Sequence, residues 1–134
     1  APNGHTLGVI SMTGVDQTTP VGTSATASGG ASPATVTVGS VGADDLVVDN
    51  MIDQAADVPT IGADQTQRYS LNQSGGAVHI RGSTQLGTAG VVMSWTLTGP
   101  DFWVTGAVAF KPVAAAGWGS LLESSRNRLV YVPR

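Results

Sequence analysis

The chain has 134 residues, 41% of them hydrophobic but only 11% charged, with a formal net charge of −3 and no cysteine. That length suits one domain with a core of its own. The balance of charge argues against electrostatic nucleic-acid binding, the missing cysteines exclude disulfides, thiol catalysis and Cys-based zinc sites, and no stretch nears the roughly 20 apolar residues of a membrane helix.

In chain order, short alternating or apolar runs are separated by Gly, Pro, Ser and Asp clusters. His5–Thr13 (HTLGVISMT) reads as a first strand, with Leu7 and Val9 on one side, and residues 14–20 turn the chain. Val21–Ala27 follows, then the break SGGASP. Ala34–Val41 alternates cleanly, Val36 and Val38 against Thr35 and Thr37, as a half-buried strand does. Gly42–Asp45 is a turn and Leu46–Ile52 a short apolar strand. Residues 53–63 read as a loop, with room for a helical turn over Asp53–Asp57.

Gln65–Leu71 is a polar strand suited to a sheet edge, and NQSGG is a hairpin-type turn. Ala77–Arg81 follows with Val78 and Ile80 inward, so that His79 faces the surface or a second sheet. Gly82–Gly90 reads as a flexible loop. Val91–Leu97 alternates Val91, Met93, Trp95 and Leu97 against Val92, Ser94 and Thr96. After the turn TGPD, Phe102–Lys111 is the longest strand, with Phe102, Val104, Val108 and Phe110 on one face and Gly106 marking a bulge or close approach.

Turn signals at this spacing, with no sustained 3.6-residue stripe, predict an all-β antiparallel sandwich of jelly-roll type. Burial of Trp95, Phe110 and Met93 contributes about 1.5–3 kcal/mol each. The sandwich is expected over residues 1–112, followed by a linker and C-terminal arm over 113–134. Within the arm, LLESSRNR suits a short helix or turn, and Leu129–Pro133 (LVYVP) a strand. The charge is split: residues 1–122 hold three basic groups against eight Asp, net −5, while 123–134 hold three Arg against Glu123, net +2. A basic arm suits either attraction to the acidic body of a neighbour or a solvated tail.

No catalytic signature stands out. No nucleophile-elbow pattern surrounds a Ser, nothing pairs two carboxylates across a cleft, and the Gly-rich stretches lack a phosphate-loop context. The Asp44, Asp45, Asp49 and Asp53, Asp57, Asp64 clusters match no calcium loop, and Asp44-Asp45 reads as a turn before a strand. Asn72-Gln73-Ser74 is a glycosylation sequon, meaningful in a eukaryotic secretory host. Trp95 reads as core, Trp103 as lying in the other layer or exposed, and Trp118 as an exposed aromatic for a neighbour's surface.

The stretches TGVDQTTPVGTSATASG, ATVTVGSVGADDLVVDNM, ADQTQRYSL, GSTQLGTAGVVMSWTLTG and DFWVTGAVAFKP, from Thr13 to Pro112, resemble a Gly/Thr-rich β-sandwich module of secreted bacterial proteins and bacteriophage structural proteins. The ending SSRNRLVYVPR resembles short segments of phage virion proteins. The resemblance implies a lectin-like jelly roll without enzyme activity or cofactor. It also implies further strands upstream, and so an exposed sheet edge that Leu129–Val132 fills in the same chain or a neighbour. The starting residues Ala1-Pro2 fit either a processed or a trimmed N-terminus.

The expectation is therefore a non-catalytic structural subunit of an extracellular, cell-surface or virion assembly: a decoration or tail protein, or a surface filament. Its partners are copies of itself or other assembly subunits, and its contact residues are Leu7, Val9, Trp118, Leu129, Val130, Tyr131 and Val132. The alternative is a carbohydrate-binding module, which would stack a glycan on Trp103 or Trp118.

Overall fold

The computed structural model describes residues 7–54, 58–72 and 78–114. They form an all-β sandwich of β1 (Val21–Gly29), β2 (Ala34–Val38), β3 (Leu46–Asp53), β4 (Thr60–Ile61), β5 (Thr66–Asn72), β6 (His79–Leu86), β7 (Val91–Thr96) and β8 (Trp103–Phe110). The pairs are antiparallel, in a five-stranded sheet of order β1-β8-β3-β6-β5 and a three-stranded sheet of order β2-β7-β4. First pairs with last (β1 with β8), β2 with β7 and β3 with β6, a nested arrangement from which β5 departs by joining β6.

The small sheet is apolar inside: Ala34, Val36 and Val38 of β2 and Val91, Met93 and Trp95 of β7 are buried, and Leu97 follows them. These meet Val47, Ala107 and Ala109 at one end of the core, and Met51 and Trp103 at the other. The inner row of the large sheet is mixed. Asp49 stands opposite Ser83 and Ala107, Met51 opposite Arg81 and Thr105, and Asp53 opposite His79 and Trp103. All of these are buried.

Several expectations change here. Residues 7–12 belong to no ladder, and the described chain first pairs at the Val15–Pro112 bridge. Alternation over His5–Thr13 reflects an extended arm laid against the sheet: Gly8, Ile10 and Met12 are half-buried, Leu7 and Val9 exposed. The expected loop at Gly82–Gly90 is strand as far as Leu86, because its polar residues find partners in the fold. The two-residue β4 lies inside the expected loop at 53–63, held by pairing with Thr96 and Trp95.

The inward faces of β6 and β8 are the reverse of those expected. In β6, His79, Arg81 and Ser83 point inward, while Val78 and Ile80 are only half-buried. In β8, Trp103, Thr105, Ala107 and Ala109 point inward. Phe102 is 75% and Val104 56% exposed, and Phe110 is half-buried rather than core. Gly106 marks neither a bulge nor a close approach: pairing with β3 runs through it without interruption, and a Cβ there would meet only ordinary contact with Thr26. The bulges lie in the outer strands, between Val21 and Ser24 in β1 and between Gln67 and Tyr69 in β5.

Candidate functional site

Two regions carry the chemistry of the molecule: the polar row between the sheets and the outer face of the large sheet. The polar row begins at Asp49. Its Oδ1 accepts from the Ser83 backbone N–H and the Ser83 hydroxyl, each at 2.7 Å, and its Oδ2 accepts from Trp95 Nε1 across the sandwich at 2.7 Å. Gln65 extends the set, donating from Nε2 to Ser83 Oγ at 2.7 Å and accepting the Ser94 N–H at 2.8 Å. Burial pushes the Asp49 carboxyl above its ordinary value, against the opposing pull of the Ser83 and Trp95 hydrogen bonds.

The second cluster centres on Asp53. Its Oδ1 lies 3.2 Å from His79 Nδ1, and its Oδ2 accepts from Arg81 Nε at 3.2 Å. Arg81 Nη1 donates in turn to Ser70 Oγ. Asp49, Asp53, His79, Arg81 and Ser83 are buried, while Ser70, on the edge strand β5, is exposed and accepts from Arg81.

Among the described residues, no three His, Cys, Asp or Glu converge as a metal site would require. The carboxylates of the two Asp clusters are instead spread through the fold. Asp49 and Asp53 are buried, and Asp45 closes the turn before β3 by accepting the Gly42 N–H at 2.9 Å, with Asp44 beside it. Asp57 lies outside the described residues. Trp103 is buried on the inner side of β8, and its Nε1 donates to Ala31 O at 2.7 Å.

On the outer face, the alternation that turns polar groups inward turns apolar ones outward. Register aligns Phe110, Leu46 and Leu86 in one row and Val108 and Val48 in the next. After the row of Gly106, Asn50 and Gly82 comes an apolar row of Val104, Ile52, Ile80 and Leu71. The arm covers part of this surface. Ile10 and Met12 line a groove of about 470 Å³ with Val48, Val108 and Phe110.

The far end of the arm rests on Tyr69. That ring reaches back from the edge strand over Gly82, and its hydroxyl donates to Asn50 Oδ1 at 3.0 Å. A Cβ at either Gly8 or Gly82 would overlap the ring, so the two glycines sandwich it. Burial, and then the negative charge of Asp49, push the Tyr69 phenol above its usual value. At its base the arm is held by the Asp16 N–H on Lys111 O at 3.0 Å and the Val113 N–H on Gly14 O at 2.7 Å. Asp16 caps that turn by accepting from the N–H groups of Thr18 (2.7 Å) and Thr19 (3.2 Å), which hold its exposed carboxyl below the ordinary value.

Among the described residues, none covers the face beyond the arm. Ile52, Val78, Phe102 and Val104 line a second groove of about 460 Å³. Of the expected contact residues, Leu7 (80%) and Val9 (76%) are exposed on the upper side of the arm. Trp118, Leu129, Val130, Tyr131 and Val132 lie outside the described residues, as do Gln73 and Ser74 of the sequon. The sequence reading missed Ile52, Phe102 and Val104 as surface residues. The sequence sets Phe102 and Val104 on one face with Phe110 and places Ile52 in an apolar run, and that pattern does not say which face meets solvent.

Comparison of the chain with protein-family models, with curated proteins and with solved structures finds no match.

Proposed function

We propose that the chain is a non-catalytic structural subunit of an extracellular or viral assembly, a virion decoration or tail protein or a surface filament, joined to copies of itself. The observation that carries this reading is the open apolar end of the large sheet, where Phe102, Val104 and Ile52 are 75%, 56% and 41% exposed. Large contiguous apolar surface of this kind marks a contact with another chain. Leu7 and Val9 add a second exposed apolar strip on the arm above the same sheet.

Two further features support the reading. The nested pairing of β1 with β8, β2 with β7 and β3 with β6 supports a jelly-roll reading of the sandwich, an architecture used by viral capsid and lectin domains. Asp49 ties the two sheets together through Trp95, while Asp53, His79 and Arg81 pair with one another inside the large sheet. We assign the assembly contacts to the arm and the outer face ahead of the sheet edges, because bulges in β1 and β5 disfavour edge pairing.

Light scattering on the full chain and on the Phe102→Ser/Val104→Ser double variant tests the proposal. The full chain should be a multiple of the monomer mass, and the variant should be a folded monomer. A full chain that stays monomeric at high concentration refutes self-assembly.

A further inference from the structure

We infer that the groove formed by Ile52, Val78, Phe102 and Val104 receives the apolar run Leu129–Val132 of a second copy of this chain. The inference rests on the self-assembly proposed above and names the contact that would build it.

The groove and the run match in chemistry. The groove lies at the ends of β1, β3 and β8, with Ile52, Val78, Phe102, Trp103 and Val104 as its apolar lining and Ser28, Asp53 and Gln54 beside them. Leu-Val-Tyr-Val is the longest apolar run in the 20 residues that follow Ala114, the last one described. In extended form it spans about 13 Å and offers alternate side chains to a floor, which is the geometry of groove recognition by a peptide. Arg126, Arg128 and Arg134 flank the run, whereas residues 1–122 carry a net charge of −5. Opposite charges steer the segment toward an acidic body and help fix its register.

The path of the chain favours a second copy as donor. The C-terminal segment leaves the sandwich at the Val15–Pro112 bridge, past the Phe110 end of β8, whereas the groove lies at the Trp103 end. Between that exit and the groove, Ile10 and Met12 of the arm lie beside Phe110, Val108 and Val48. Among the described residues, Phe102 and Val104 stand exposed to a neighbour's segment arriving from solvent.

The native chain has no cysteine, so introduced thiols report contacts cleanly. Full-length chains carrying Val104→Cys are mixed with full-length chains carrying Val130→Cys and oxidised gently, and mixed disulfides are counted by mass spectrometry. Val92→Cys, on the exposed side of β7, replaces Val104→Cys in the control mixture. The expected result is a mixed disulfide about tenfold more abundant with Val104→Cys than with Val92→Cys, reflecting raised local concentration. Phe102→Cys, at a more exposed position, repeats the test if Val104→Cys misfolds.

Equal yields in the two mixtures overturn the inference. So does a disulfide that forms only within a chain carrying both Val104→Cys and Val130→Cys. Light scattering on the same samples separates the two proposals: oligomers without the cross-link leave self-assembly standing and remove this contact, and monomers remove both.

Discussion

The inner face of the five-stranded sheet presents Asp49, Asp53, His79, Arg81 and Ser83, all buried, while the outer face of the same strands presents Val48, Ile52, Ile80, Val104, Val108 and Phe110. A half-buried strand ordinarily does the reverse. The contrast shows what each face is held by. Hydrogen bonds that cross to the small sheet through Asp49 and Trp95 complete the inner face. The outer face depends on apolar cover, which the described part of the arm supplies at one end.

Breaking the inner face should have the largest effect. Asp49→Ala leaves the Trp95 indole N–H and both Ser83 donors without their acceptor in the interior, at about 1–3 kcal/mol for each unmet group. A loss of at least 3 kcal/mol in urea denaturation is expected. Arg81→Met strips Asp53 of its buried cation and should cost about 3–5 kcal/mol, most of which Asp53→Leu/Arg81→Met should recover. A double variant as unstable as the single one would show that the pair has a role beyond its own neutralisation.

Smaller effects sharpen the comparison. Gly82→Ala forces the Tyr69 ring off the sheet, with an expected loss of about 1–3 kcal/mol and faster amide exchange over residues 8–12. Asp49 should also leave a signature in pH. Its folded carboxyl titrates above the ordinary 3.8, so the folded state binds the proton more tightly than the unfolded one. Stability then falls as pH rises from about 3.8 through the raised value, and the penalty is fully present above it. Asp49→Asn should remove that component from the difference between the two stability–pH curves. Smallest of all, Val104→Ser on the open outer face should change monomer stability by less than about 0.5 kcal/mol while weakening self-association.

Sequence patterning was readable where a strand's two sides differ in the usual sense. Val36 and Val38 against Thr35 and Thr37, and Met93 and Trp95 against Ser94 and Thr96, gave the correct inward face of the small sheet. The same logic failed on β6 and β8. There Val78, Ile80, Phe102 and Val104 lie outside, while His79, Arg81 and Ser83 of β6 find partners inside on β3, whose Asp49 in turn bonds Trp95 across the sandwich. Periodicity has no access to a bond that spans 46 residues. Gly82–Leu86 has the composition of a loop, yet Ser83 is tied to Asp49 and Thr84 accepts from Arg68 Nε at 2.7 Å. The arm misled in the opposite way: alternation at residues 7–12 signals contact with a surface but not membership of a ladder. The exposed groove was legible only as an apolar strip, because its facing depends on which side of β8 the small sheet covers.

A sheet of alternating residues can slide by two positions and still keep every side chain on its own face. An inner row of Ala and Val alone would scarcely distinguish those alignments. Here a slip of β6 against β3 would move Ser83 away from Asp49 and set a different polar residue opposite a carboxylate fixed by Trp95. The interior hydrogen bonds thus act as a vernier, locking the strands to one alignment among several that hydrophobicity would accept.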